Sequence, residues 1–171
     1  MKFKKIVILE PIVITSDGLK ELERQCEELV IFDNMTSDEN ETIDRIGDAD
    51  CVLLSWSMKI TKPIIEKCTN LKYIGMCCSY YGEQYSNVDI AAAKKQNIKV
   101  VPLKDYGDEG TVESIVAQTI SLMHGLNGKR WQSKARELNS VNIGIVGLGM
   151  IGGMTARAFK HFGANVYYNL L

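Results

Sequence analysis

Asn142-Ile143-Gly144-Ile145-Val146-Gly147-Leu148-Gly149-Met150-Ile151-Gly152 reads as an apolar, β-branched strand running through a glycine turn into a helix. The turn, Gly147 to Gly152, has the spacing G-x-G-x-x-G between a strand and a helix, the context in which that pattern carries meaning. Gly147 allows the tight turn, Gly149 lets the backbone approach a pyrophosphate, and Gly152 lets helix and strand pack closely. The helix predicted over Met150–Phe162 would aim unpaired amides and its positive dipole end at the anion. Gly147, Leu148, Gly149, Met150, Ile151 and Gly152 are therefore the candidate cofactor-binding residues. The competing reading is a glycine turn that only packs. Gly163 stands where a helix end wants a left-handed residue, and Asn165–Tyr168 follows as a second strand. Together these form one βαβ unit.

A complete fingerprint would place an acidic residue at the end of the second strand, bonding the ribose hydroxyls. Tyr168-Asn169-Leu170-Leu171 stands there instead. Asn169 bonds a ribose without repelling a 2′-phosphate, so NAD and NADP both stay open as cofactors.

Upstream, short β-branched runs alternate with amphipathic stretches. Lys4–Leu9, Leu29–Phe32, Cys51–Leu54, Tyr73–Met76 and Ile98–Val101 read as strands. Between them, Ser16 is the expected N-cap of a helix carrying Leu19, Leu22 and Cys26. Thr36 and Glu39 form a capping box. Thr61 opens a short helix with Pro63 in its first turn, and Val88–Lys95 is a fourth helix. Near-continuous apolar strands separated by helices imply parallel pairing, covered on both faces. Residues 1–104 are thus expected to be a flavodoxin-like, doubly wound parallel α/β sheet. Residues 105–140 are a crossover helix (Thr111–Leu126) and a polar linker, and 141–171 the start of a Rossmann dinucleotide-binding domain. With two strands only, that unit would leave Ile143, Ile145, Val166 and Tyr168 without their usual cover.

Of 171 residues, 20 are Lys or Arg and 21 Asp or Glu, without the basic excess of a nucleic-acid binder. No apolar run reaches the roughly 20 residues that span a bilayer, so no membrane association is expected. Five cysteines (Cys26, Cys51, Cys68, Cys77, Cys78) cannot all pair and show no metal-ligand spacing. They point to a reducing, cytoplasmic setting, with Cys26, Cys51 and Cys68 as core thiols. Cys77 and Cys78 are either core or, if a helix terminus lowers their pKa, reactive.

The chain resembles the D-isomer-specific 2-hydroxyacid dehydrogenases. The resemblance rests on "NLKYIGM" (Asn70–Met76), "NVDIAAAKKQNIKV" (Asn87–Val100), "DYGDEGTVES" (Asp105–Ser114, with Glu113 at the family's glutamate) and Trp131. Glu137-Leu138 and "VNIGIVGLGMIG" (Val141–Gly152) complete it. Many Rossmann enzymes share the glycine motif, but its combination with "NVD" about sixty residues upstream is far more specific. The resemblance implies a substrate domain, a cofactor domain, catalysis in the cleft between them, and hydride transfer between a nicotinamide and a 2-hydroxy or 2-oxo acid. It places the substrate-carboxylate loop at Cys77-Cys78-Ser79-Tyr80. There the chain departs from the pattern, because Cys77–Ser86 is longer than the usual loop and Ser86 replaces an Asp before "NVD". Tyr80, Tyr81 and Tyr85 serve the substrate or are a plain aromatic surface loop.

The family's Arg, Glu and His lie beyond the first βαβ unit, in a protein about twice this long. Neither His124 nor His161 has a carboxylate neighbour that spacing enforces, so no catalytic residue is assigned. These 171 residues alone are expected to be inactive, and either to self-associate or to be mobile after about Ser140, with residues 1–104 folding well. Two other readings stand beside the enzyme. One is a non-catalytic dinucleotide-binding regulatory or assembly protein of the same fold. The other is a bare flavodoxin-like module, disfavoured because Glu10-Pro11-Ile12-Val13 after the first strand is no phosphate loop.

Overall fold

A computed structural model of the chain describes residues 2–80, 82–104 and 106–170, so readings that touch Tyr81, Asp105 and Leu171 lie outside the described residues. The chain divides into two compact units that part after Lys104. The first contains β1 (Phe3–Ile8), α1 (Ser16–Gln25), β2 (Cys26–Ile31), α2 (Glu39–Ile46), β3 (Cys51–Leu54), α3 (Lys62–Lys67), β4 (Tyr73–Ser79), α4 (Ile90–Lys95) and β5 (Lys99–Leu103).

The sheet order is β2-β1-β3-β4-β5 with every neighbouring pair parallel. This is the flavodoxin-like doubly wound order. Ile6, Val7, Ile8 and Leu9 are all buried, as a central strand covered on both faces requires. One face packs Val7, Val52, Ile74 and Met76 against Ile46, Ile64, Ile65 and Ala93 of α2, α3 and α4. On the other face Ile6, Cys26 and Cys51 meet Leu22 of α1.

Several boundaries differ from the sequence reading. The cap of α1 is Thr15, whose side chain accepts the Gly18 amide, with Ser16 already helical. Cys26 starts β2 rather than extending α1. Asp38 caps α2 by accepting the Glu41 amide, while Thr36 donates to the Glu41 carboxylate instead of forming a capping box with Glu39. In each case a nearer or shorter acceptor reaches the free amides first.

The second unit holds α5 (Asp108–His124), β6 (Asn142–Val146), α6 (Met150–His161) and β7 (Asn165–Asn169). β6 and β7 pair in parallel, Ile143 opposite Val166. Met123, Leu138, Val141, Phe159 and Ala164 form its core, with Ile115, Val116 and Ile120 of α5 packed on them. Ile143 and Val166 also join that core and are not left bare. Tyr168 remains exposed. Gly163 follows α6 with φ +85°, the left-handed conformation expected there.

Candidate functional site

In the second unit the glycine turn joins the carboxyl end of β6 to the amino end of α6. Gly147 has φ +86°, a conformation that a side chain would strain. A Cβ on Gly152 would lie 2.1 Å from the Gly147 carbonyl oxygen, so only glycine lets the helix sit this close to the strand. Gly149 is different. Its φ is −71° and a Cβ there would meet nothing within 4 Å. No side chain caps α6, which leaves its first amides facing that open space. The arrangement suits an anion at the helix end. Asn169 pairs with Val146, and its carbonyl accepts the Gly147 amide at 2.9 Å, which puts the end of β7 beside the turn.

In the first unit the chemistry gathers at the carboxyl ends of the strands. Glu10, just past β1, is 1% exposed. Its Oε1 accepts the amides of Ser55 at 2.9 Å and Met58 at 3.1 Å. Asn87 Nδ2 donates to the carbonyls of the same two residues, both at 2.7 Å. The segment 55–58 after β3 is thus held from two sides. Arg45 does similar work nearby. Its guanidinium donates to the carbonyls of Leu9 (3.0 Å) and Asn34 (2.7 Å), pairs with Glu41 and stacks 4.5 Å above Phe32. Asp89 caps α4 through the Ala92 amide, and Val88 is buried. The "NVD" stretch is therefore one bracing residue, one core residue and one cap. Ser86 Oγ accepts the Val88 amide, so the serine in place of the familiar Asp still ties the turn.

The expected substrate loop needs correction. Cys77, Cys78 and Ser79 are strand, not loop, because β4 runs to Ser79, and the ladder to β5 slips between Met76 and Ser79. Only Tyr80 lies beyond the strand, and it packs against the core. No helix terminus activates the paired thiols. Burial pushes both up, and the charge of Glu10 adds to it. All five cysteines are free. Cys26, Cys51 and Cys68 are buried core thiols, with burial pushing Cys51 to about 12.

His124 ends α5 and His161 ends α6. Among the described residues no three His, Cys, Asp or Glu side chains are grouped to hold a metal ion, and no helix is long and apolar enough to cross a membrane.

Sequence reasoning missed Glu10, Arg45 and the Ser55–Lys59 loop. The topology signals them afterwards: the order reverses between β1 and β3, and open α/β sheets bind ligands in the crevice at such a point.

Residues 6–171 match the family described as D-isomer specific 2-hydroxyacid dehydrogenase, catalytic domain. A hydroxypyruvate reductase from Blautia hydrogenotrophica is 28% identical over 180 residues, covering 95% of this chain and 54% of that protein. An acyclic imino acid reductase solved in complex with NADPH and D-Arg superposes with a TM-score of 0.74 at 22% identity, over 96% of this chain and 55% of that one. The NAD+-bound 3-phosphoglycerate dehydrogenase of Entamoeba histolytica gives 0.71 at 24% identity, over 97% and 53%. At these identities the two structures carry the fold. The chain spans about half the length, or less, of the curated relatives it matches.

Proposed function

The chain belongs to the D-isomer specific 2-hydroxyacid dehydrogenases, and from that premise we propose that it binds NAD or NADP and a 2-hydroxy or 2-oxo acid for hydride transfer between them. The observation that carries the reading is the glycine turn. Gly152 is barred from any larger residue by the Gly147 carbonyl, while Gly149 leaves free room before an uncapped helix end. Gly147 to Gly152 would hold the pyrophosphate, and Asn169 would meet the ribose. Bound there, the nicotinamide supplies the hydride donor or acceptor. The acid would lie at the carboxyl edge of the five-stranded sheet.

We assign no proton carrier within residues 1–171. His161 lies eleven residues along α6 from Met150, roughly 16 Å from the turn. These residues taken alone would bind without turnover, as a non-catalytic regulatory or assembly member of the fold would. The five free thiols favour a reducing, cytoplasmic setting, and the uncharged strands β6 and β7 favour a homo-oligomer.

The test is titration of NADH into the chain, followed by its fluorescence, beside Gly149→Val. Saturable binding lost in the variant supports the reading. Equal binding by both removes the site, and no binding by either removes the function.

A further inference from the structure

Charge is divided unevenly along the first unit. Residues 1–50 hold 13 Asp or Glu against six Lys or Arg, a net −7. Residues 51–104 hold eight Lys against three acids, a net +5. The sheet order β2-β1-β3-β4-β5 turns that division in sequence into a division in space. β2 and β1, with α1 beside β2, make an acidic flank, and β4 and β5, with α4 beside β5, a basic one. Among the described residues only one ion pair, Lys72–Asp50 at 3.8 Å, joins the two flanks.

β2 and β5 are the outer strands, so each presents backbone groups that no neighbouring strand takes. Their exposed side chains are complementary. β2 shows Glu27 and Ile31, and β5 shows Lys99 and Leu103. Neither Glu27 nor Lys99 joins an ion pair among the described residues. Glu28, the other charge on β2, stands on the opposite face and pairs with Lys5.

Spacing and direction agree as well. Ile31 lies four residues after Glu27, and Leu103 four after Lys99. The ladder places Leu29, Ile6, Cys51, Tyr73 and Lys99 in one row. Alternate residues share a face, so all four exposed side chains point the same way. A copy moved sideways in the sheet plane, without being turned, brings Lys99 opposite Glu27 and Leu103 opposite Ile31. Like edges do not match, because β2 on β2 sets acid against acid and β5 on β5 sets Lys against Lys.

Main-chain bonding across this contact is thin. Lys99 gives its amide inward to Lys72, which turns residues 100 and 102 outward, and Pro102 has no amide to give. Charge has to carry the contact, and exposed ion pairs are weak and screened by salt.

We infer that the first unit carries an interface for a second copy of this chain, its β5 edge docking in parallel on the β2 edge of the other copy. The two surfaces differ, so the association is head-to-tail and open-ended, growing with concentration. It involves neither the glycine turn nor the uncharged β6 and β7.

Sedimentation velocity of the full chain tests this at about 0.01 M and about 1 M salt, where charges are screened over roughly 30 Å and 3 Å. The sedimentation coefficient should climb with protein concentration at low salt and stay at the monomer value at high salt. Glu27→Lys and Lys99→Glu should each stay monomeric at low salt, and an equal mixture of the two should associate again. The double variant, with the pair exchanged within one chain, should associate too. A parent that is monomeric at low salt overturns the inference. Association that survives high salt, or that either single variant retains, overturns it as well and points to β6 and β7. So does failure of both the mixture and the double variant to associate.

Discussion

Glu10 and Asn87 grip the same two peptide groups, the carboxylate taking the amides of Ser55 and Met58 and the side-chain amide giving to their carbonyls. The partners are 29 to 48 residues apart in sequence, so the brace forms only once β1, β3 and the turn before α4 are assembled. Asn87→Ala would strand two carbonyls in a confined space. An unpaired buried acceptor costs roughly 1–3 kcal/mol, and the expected loss in urea unfolding is of that order. Faster amide exchange at Ser55 and Met58 should accompany it. A loss within about 0.5 kcal/mol, the range of ordinary surface changes, would mean the carbonyls find water instead.

The glycine turn gives a contrast between two positions three residues apart. Gly152→Ala forces a Cβ toward the Gly147 carbonyl, where 2.1 Å separates them, and backbone must move. A destabilisation of roughly 1–3 kcal/mol is expected, as for other overpacked sites. Gly149→Val meets open space at φ −71° and should leave the midpoint of unfolding nearly unchanged. NADH affinity should fall more than tenfold in this variant, on the order of 1.4 kcal/mol. Were Gly149→Val the unstable one, the turn would be packed differently from the description above.

How much of this was legible in the chain follows from how local each signal is. The β3 and β6 bounds, Cys51–Leu54 and Asn142–Val146, are read directly, because β-branched runs between turn residues have one reading. So does the glycine turn, whose spacing carries its own mechanics. Caps slip by one or two residues, because Thr15 competes with Ser16 and Asp38 with Thr36 for the same amides. Ser79 reads as loop although it is strand, since pairing with Leu103 comes from β5 and not from its own neighbours. Glu10, neither glycine nor hydroxyl, carries no local signal of a site. Its role depends on two amides 45 and 48 residues away, which no local pattern announces.

Thr155 offers a test of packing around α6. Its hydroxyl is buried and has no hydrogen-bond partner among the described residues. Thr155→Val keeps the shape and removes the stranded group, so a gain of roughly 1 kcal/mol in unfolding free energy is expected. A loss would show that the hydroxyl is paired in solution.

Cofactor preference should be weak. Residues 164–170 contain no Asp or Glu, and the end of β7 beside the turn is Asn169. Nothing in that strand repels a 2′-phosphate. Measured affinities for NADH and NADPH should fall within about a hundredfold of one another, some 2.7 kcal/mol. A wider gap in favour of NADH would require an acid brought to the ribose from elsewhere.

Alkaline pH should destabilise the chain through its buried thiols. Burial raises Cys51 to about 12, and it also raises Cys26, Cys68, Cys77 and Cys78, while Tyr73 moves the same way. An unfolded thiol ionises near 8.5. Below that pH both states keep the proton and the contribution is constant. Above it the unfolded chain releases a proton that the folded chain retains, so stability falls with rising pH until the folded thiol ionises as well. For Cys51 the window runs from the unfolded value up to about 12. The slope approaches about 1.4 kcal/mol per pH unit for one fully retained proton. Cys51→Ala removes that proton from both states. The variant should be less stable than the parent at neutral pH, having lost a buried sulfur, and the gap should narrow as pH rises from about 8 to about 10. Lysines carry no coupling to Cys51 and cancel in the difference, while Tyr73, which the Cys51 charge raises, adds to the narrowing of the gap. A gap that stays constant across that range would mean that Cys51 ionises as easily in the folded chain as in the unfolded one.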